Sequence, residues 1–451
     1  MRLFISITLT LLLFGGVNAQ ENTLDSYIDE GLENNLALKQ ENLSVAKSLE
    51  RLRQAKGLYM PDISFNSSYT IAGGGRSIAI PIGDLLNPVY KSLNQLNETN
   101  QFPTDLPNSE EQFLPNKFHD TRVEIRQALF DPDIYHNYQA NKYLAASLQS
   151  KRDVYKQELV KEIKSAYYQY LTTVEALEIY ASTEKLLQEI LRVNKKLVEN
   201  NKATVDVVYL AEYEISDLES QVAEAKRLQA RAMSYFNFLL NRDLTDSIIA
   251  DKNLGVELLQ ESAIAKLQED ALENRKELDQ LTNSITATEQ ILALNKNTRL
   301  PKLSVGANFG YQGFNYEFNS RQDYYLLQFN MSFPIFKGFQ NKSKIQESKI
   351  EISRLQTRQT ELEEQIKFQV INAYKQVEAG KSSVKAKQAA LKSSQKSFEI
   401  IGRKYLENQI TLLNLLDART KYTNAQLELV VAKYDLLEKE AVLERTIAVN
   451  Q

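Results

Sequence analysis

The second half of the chain carries two sets of mostly apolar residues at intervals of seven. The first set is Val377, Val384, Leu391, Phe398 and Tyr405, and the second, after a break near 407–411, is Leu415, Tyr422, Leu429, Leu436 and Leu443. A sustained period of seven falls short of two helical turns and therefore favours long helices that supercoil to the left. The pattern predicts a long helix over residues 339–406 and a return helix over 412–448.

The same pattern occurs 207 residues earlier in the chain. Moving the ten positions back by 207 gives eight apolar residues, including Tyr170 and Phe236, and moves Asn408 onto Asn201. This indicates two structural repeats, 20–245 and 246–451. A long helix is predicted over 133–200 and a return helix over 205–240, and a helix opens each repeat at about 22–57 and 257–298. A chance alignment of two coiled coils is the alternative, against which the matching order of elements argues.

Proline distribution supports these lengths. No proline lies between residues 133 and 300 or after 334. Because proline breaks helix interiors, its absence permits very long helices there. Pro132 suits the first position of the first long helix, where the missing N–H costs nothing.

Each repeat also contains two segments in which apolar and polar residues alternate. They cover about 61–73 and 118–130 in the first repeat, and about 301–314 and 323–335 in the second. Alternation with period two predicts strands with one apolar and one polar face. Roughly ten residues is also the length of a tilted strand that spans a membrane. A soluble antiparallel sheet packed on helices is the alternative.

The connections within the two strand pairs differ in length. Phe314–Gln322 is short, whereas Ala72–Lys117 is long, begins with three glycines and contains five prolines. Its stretch Ile78–Tyr90 is apolar enough that part of it is expected to fold over the mouth of a barrel that the strands would form.

The N-terminus has the pattern of a secretory signal. Met1 and Arg2 precede an apolar run from Leu3 to Val17, and Val17-Asn18-Ala19 offers small residues for cleavage. We predict a signal peptide over 1–19. An uncleaved anchor is the alternative, although a membrane span needs about 20 apolar residues. No later segment is apolar enough for a spanning helix, so a mature chain that enters a membrane must do so as a β-barrel.

Four strands cannot close a barrel, since the smallest known bacterial barrels use about eight. An open edge in lipid would leave backbone groups without hydrogen bonds. Copies of the chain must therefore pool their strands. Two copies leave little or no lumen and three give a wider barrel, which favours a homotrimer; larger rings satisfy the same arithmetic.

Several motifs resemble the TolC-like outer-membrane efflux protein family, and the resemblance covers essentially the whole mature chain. The stretch from Thr411 to Tyr422, TLLNLLDARTKY, is similar to the family's T-x-x-D-V-L-D-A segment after the second long helix. Leu58–Pro61 and Arg299–Pro301 resemble the residues that lead into the first strand of each pair. Ile80–Tyr90 resembles the loop of Bacteroidetes-type members.

The resemblance implies a mainly α fold with a small transmembrane β part. Three copies would form a twelve-stranded β-barrel in the outer membrane, continued by a periplasmic α-helical tunnel of coiled-coil helices. The turns near 201–206 and 407–414 would narrow the far end of the tunnel.

The resemblance also suggests residues of a periplasmic gate. Asp417 matches one of the family's constriction acids, whereas Asn414 stands where a second acid is usual. Tyr405 matches a tyrosine that holds the entrance shut, and Ile410 replaces an arginine of some members. Asp206 lies at the equivalent turn of the first repeat. Three copies of one acid around a narrow pore attract cations and impede anions. For Asp417 a solvated or capping acid is the alternative, and for Tyr405 a core heptad residue.

Composition argues against catalysis. The net charge is −4, there is no cysteine, and there are two histidines. Disulfides, thiolate chemistry and a Cys/His zinc site are excluded, and no basic block points to nucleic acid. Phosphate-binding loops and H-E-x-x-H are lacking. His119 and His136 are interpreted as surface or polar-face residues without companion ligands. We therefore expect no enzyme and no cofactor, and transport energy supplied by a partner.

The favoured function is a passive exit duct for small molecules in a tripartite efflux system. Its partners would be outer-membrane lipid, a periplasmic adaptor (membrane fusion protein) and an inner-membrane pump of the RND or ABC type, with no nucleic acid. One alternative is the outer-membrane component of a type I protein-secretion system. Another is a secreted coiled-coil structural protein, which would not require two pairs of alternating strands.

Overall fold

The computed structural model describes residues 23–252 and 263–448, so the signal-peptide prediction lies outside the described residues. The helices and strands in this part of the chain follow in order: α1 (Thr23–Asn34), α2 (Leu36–Gly57), β1 (Asp62–Thr70), β2 (Ser77–Ile80), α3 (Ile82–Leu96), β3 (Ser109–Gln112), β4 (Phe118–Phe130), α4 (Pro132–Glu199), α5 (Asp206–Leu240), α6 (Ile264–Asn274), α7 (Lys276–Asn297), β5 (Lys302–Phe314), β6 (Asp323–Ser332), α8 (Gln340–Leu406) and α9 (Leu412–Ile447). The mainly helical fold class is confirmed.

The chain divides into two compact units. A helical unit comprises the described parts of 1–49, 143–286 and 352–451, and a sheet unit comprises 50–142 and 287–351. Across the described ranges, no helix combines the length and the apolarity needed to cross a membrane.

The two long helices have 68 and 67 residues. At 1.5 Å per residue each extends about 100 Å. Both end in the same turn, with Asn201 at φ 53° and Asn408 at φ 59°. In each turn the asparagine N–H donates to the carbonyl three residues back, and the next N–H donates to the carbonyl five residues back, at 2.8–3.0 Å. Asparagine tolerates this left-handed conformation and so ends a helix without glycine.

The helices that open the two halves are each divided in two, where the sequence pattern predicted one. Asn35 separates α1 from α2: its Oδ1 accepts the Leu38 N–H at 2.9 Å, and its Nδ2 donates to the Leu239 carbonyl at 2.8 Å. Arg275 separates α6 from α7 and donates to the Thr446 carbonyl at 3.1 Å. Each break is thus stabilised by a buried polar side chain that reaches another helix.

A four-stranded antiparallel sheet, in the order β1-β4-β5-β6, lies in the sheet unit. The strand register places apolar residues of neighbouring strands opposite one another, and likewise the polar ones. Each set therefore forms rows across the sheet. One row, Phe65, Val123, Phe309 and Tyr325, is apolar and exposed. A row on the other face contains Asp62, Arg126, Gly306 and Gln328. The sheet therefore exposes apolar side chains on one face, and β1 and β6 are its two edges within the chain.

The interpretation of His119 as a surface or polar-face residue is wrong. His119 is fully buried and shares the face of Thr121 and Val123. The β5–β6 loop folds back over it, placing the rings of Tyr316 and Phe318 at 4.9 and 5.2 Å. Its Nε2 lies 3.0 Å from the Glu317 carbonyl and 2.9 Å from Gln322 Oε1. Alternation along β4 could not reveal a cover supplied by a loop almost 200 residues away.

His136 lies in the first turns of α4, with its Nδ1 2.9 Å from Oε1 of Gln290 on α7. It is half-buried, and its recorded partner is an amide rather than a second metal-ligating side chain.

Candidate gate at the turns of the helical unit

The turns between α4 and α5 and between α8 and α9 rest on an apolar cluster. Its buried members are Leu187, Ile190, Ala211, Leu218, Leu412, Leu415 and Leu416. These residues come from α4, α5 and α9, and half-buried Phe398 and Tyr405 of α8 pack against them. All four helices of the candidate gate are therefore held by one core.

Tyr405 makes a polar contact between the two long helices. Its hydroxyl donates to Oδ1 of Asn194 on α4 at 2.6 Å. Asn194 is fully buried, and its Nδ2 donates to the Ile190 carbonyl at 2.8 Å. Burial raises the pKa of Tyr405. Tyr405 is thus both a heptad core residue and the donor of an interhelical bond.

Sequence reasoning missed Asn194. The signal was present, because Asn194 continues a heptad row from Tyr180 and Leu187 at spacing seven. A polar residue in such a row is typical of a position that specifies a particular helix partner.

Asp417 and Asn414 lie three residues apart on α9 and are both exposed. Such spacing places them on one side of the helix. Asp417 forms an ion pair with Lys421 at 2.8 Å on the same helix, and Asn414 Oδ1 accepts the Thr411 hydroxyl at 2.7 Å. An exposed pair of this kind contributes little stability, so the Asp417 carboxylate remains available to solvent or to an ion.

Asp206 is the first residue of α5 and is exposed. No side-chain cap is recorded at that helix start, whose N-cap position is Val205. An acid in the first turn is favoured by the helix dipole, which gives Asp206 a structural role besides a lining one. Ile410 lies in the α8–α9 turn and is half-buried.

An ion pair that sequence reasoning did not anticipate joins α9 to α5. Arg419, which is buried, pairs with Glu214 through its Nη2, whereas its Nε has no hydrogen-bond partner. Nearby, the hydroxyls of Thr183 and Thr423 lie 3.2 Å apart and join α4 to α9. Each contact joins two residues that are more than 200 positions apart in sequence, so no local pattern reveals it.

The described residues at the candidate gate do not form a metal site. Among residues 23–252 and 263–448, no group of His, Asp and Glu side chains is placed to hold a metal ion. The arrangement can present acids to passing ions and can hold helices together through Tyr405 and Arg419.

Comparison with known proteins identifies the class. Residues 267–449 match the family model described as outer membrane efflux protein. The chain is 21% identical over 323 residues to the alkaline protease secretion protein AprF of Pseudomonas aeruginosa, a match that covers 70% of this chain and 66% of AprF. It is 21% identical over 454 residues to the outer membrane protein TolC of Salmonella enteritidis, covering 96% of this chain and 83% of TolC.

Solved structures give the same answer for the fold. The outer-membrane channel OprN superposes with a TM-score of 0.77 at 14% identity, covering 95% of this chain and 90% of OprN. The fold is that of an outer-membrane channel protein with long helices. On these similarities the chain resembles the TolC-like outer-membrane efflux proteins, and the resemblance predicted from Thr411–Tyr422 is confirmed. Its location is the outer membrane, and the family whose model it matches consists of channels rather than enzymes.

Proposed function

We propose that three copies of the chain form a passive exit duct across the outer membrane. The observation that carries the proposal is the sheet of four strands with an exposed apolar face and two edges in the single chain, β1 and β6. With four antiparallel strands, β1 of one copy and β6 of the next run in opposite directions. They can therefore pair as neighbouring strands do, and three copies close into twelve strands without a free edge in lipid.

The faces of the sheet support the same orientation. Side chains of the exposed apolar rows, such as Phe65 and Tyr325, suit contact with hydrocarbon. Polar side chains on the other face, such as Arg126 and Gln328, suit a water-filled lumen. The long helices of the helical unit would form a periplasmic tunnel.

The energy for transport must come from a partner protein, because a passive duct does no work. We propose a periplasmic adaptor and an inner-membrane pump of the RND or ABC type as partners.

The precursor would lose residues 1–19 on export, and residues 20–245 and 246–451 would act as two repeats of one structural unit. The matching Asn201 and Asn408 turns support the last point.

The gate of the duct would lie at the two turns. Asp417, Asn414 and Asp206 are exposed there, and the Tyr405–Asn194 bond connects the two long helices beside them. We propose that three copies of Asp417 lend the constriction its cation preference and that the Tyr405 bond holds it narrow.

Current recordings in planar lipid bilayers test whether the protein forms a duct. The purified mature protein should give discrete current steps, and its native mass in detergent should be that of three chains. A monomeric mass with recovery in the soluble fraction, together with no current, would refute the proposal.

Export of a protein is the second candidate, because one relative is named as a protease secretion protein. The two are separated by deleting the gene in its native host. Accumulation of small dyes with an unchanged set of secreted proteins favours drug efflux, and the reverse result favours secretion.

A further inference from the structure

Helix α3, inside the long connection between β1 and β4, has a coiled-coil pattern of its own. Ile82, Leu86, Val89, Leu93 and Leu96 follow each other at alternating intervals of four and three residues. This is the spacing by which a helix packs in a narrow seam against another helix. We name these five residues the α3 seam.

The polar face of α3 is already occupied by the chain's own return segment. Asn87 makes two hydrogen bonds with the backbone of Leu106, at 3.0 and 2.8 Å. Seven residues on, Asn94 makes the same pair with the backbone of Phe102, at 2.7 and 3.0 Å. Gly83 lies so close to this segment that a Cβ would be 2.0 Å from the Leu106 carbonyl oxygen. The helix is therefore attached by its polar side.

Three of the five seam residues are open to solvent, whereas Leu86 and Leu93 are half-buried. Ile82 is 39% exposed, Val89 51% and Leu96 80%, and adjacent Leu85 is 65% exposed. A helix that binds its own chain through asparagines and leaves Ile82, Val89 and Leu96 exposed to solvent reverses the usual arrangement of a surface helix. An exposed apolar stripe of this kind marks an interaction surface.

The composition of α3 favours a protein partner over lipid. Helices that lie on membranes are usually rich in Lys and Arg on the polar face, with Trp or Phe on the other. From Ile82 to Leu96, α3 has Lys91 as its one basic residue and contains neither Trp nor Phe. The spacing of the seam is that of helix-to-helix packing.

We propose that the occupant of the α3 seam is the α3 seam of the other copies, so that three helices meet at the outer mouth of the duct and narrow it. This inference rests on the proposed trimer. The connection leaves the sheet where Thr70 pairs with Phe118, at one end of the strands. Three such connections therefore emerge from one end of a joined sheet, where their helices surround a common axis.

The native chain contains no cysteine, which makes crosslinking a clean test. Val89→Cys places a thiol in the seam, and Lys91→Cys places one on the side of the same helix nearer the asparagines. Oxidation of the full-length protein in outer membranes should shift Val89→Cys, but not Lys91→Cys, to a covalent dimer on denaturing gels. Val89→Asp should increase single-channel conductance, because like charges would separate the three helices.

The outcomes separate the two proposals. A monomeric native mass for the unmodified protein would remove the trimer and the seam together. A trimeric mass in which Val89→Cys stays uncrosslinked and Val89→Asp leaves conductance unchanged would overturn the seam alone. If a fluorophore on Val89→Cys is then quenched by brominated lipid, the seam's occupant is the membrane and the inference is wrong.

Discussion

Glu277 offers the sharpest test of how the helical unit is held together. It lies at the start of α7, with Oε1 2.8 Å from Arg275 and 2.7 Å from Arg445. The side chains are 18%, 8% and 10% exposed, respectively. We predict that Glu277→Gln, which removes the charge and keeps the shape, destabilises the fold strongly because two buried guanidinium groups lose their shared counterion.

The size of the effect follows from the pKa. Burial by itself would raise the pKa of Glu277, but hydrogen bonds from Arg275 and the charge of Arg445 outweigh it and lower the pKa from 4.5 to about 2. At about 1.4 kcal/mol per pKa unit, the ionised carboxylate contributes about 3 kcal/mol. Because the folded pKa is the lower one, this contribution is complete above about pH 4.5 and is lost as the pH falls toward 2.

The assay is urea unfolding in detergent, followed by far-ultraviolet circular dichroism at pH 7 and again near pH 3. Glu277→Gln should lower the free energy of unfolding by about 3 kcal/mol at pH 7, and the difference from the native chain should shrink at acid pH. Glu364→Gln is the control, because Glu364 pairs with Lys367 at 2.7 Å on an exposed helix surface, and it should destabilise the fold far less than Glu277→Gln. Equal losses for the two variants would refute the reasoning.

Three further substitutions test the gate and the sheet. Tyr405→Phe leaves the buried Asn194 oxygen without its donor, so it should cost about 1–3 kcal/mol in urea unfolding and raise single-channel conductance. Asp417→Ala should lower cation selectivity, read as a reversal potential nearer zero in a salt gradient. Gly310→Ala would bring a Cβ within 2.2 Å of a backbone oxygen of β4 and should reduce recovery of folded trimer, whereas Gly306→Ala meets nothing within 4 Å and should be neutral.

Matched variants decide these outcomes. Tyr422→Phe removes a hydroxyl that accepts from Gln426 of its own helix at 3.3 Å, and it should not change conductance. Asp435→Ala removes an acid paired with Lys439 away from the turns, and it should not change selectivity. Equal conductance for Tyr405→Phe and Tyr422→Phe would count against a role of the Tyr405 bond in narrowing the gate. Equal selectivity for Asp417→Ala and Asp435→Ala would count against Asp417 lining the pore. Equal recovery of the two glycine variants would count against the close approach of β4 and β5 at Gly310.

The sequence alone determined the long elements, because their signals are local and repeated. The absence of proline and the heptad rows predicted long helices over 133–200 and 339–406, and the structure has Pro132–Glu199 and Gln340–Leu406. Alternation likewise predicted the strands, since a strand with two different faces needs period two in its own residues. The turns at Asn201 and Asn408 are equally local.

Tertiary structure decided everything that depends on distant neighbours. His119 is buried because a loop near residue 317 covers it. The break at Asn35, between α1 and α2, is held by the bond from that side chain to Leu239 of another helix. The ion pair of Arg419 with Glu214, the bond of Tyr405 to Asn194 and the partly exposed seam of α3 likewise arise from contacts between elements. Periodicity shows which face of a helix or strand is apolar. Only the tertiary structure shows which residues, or solvent, contact the apolar face and the polar face.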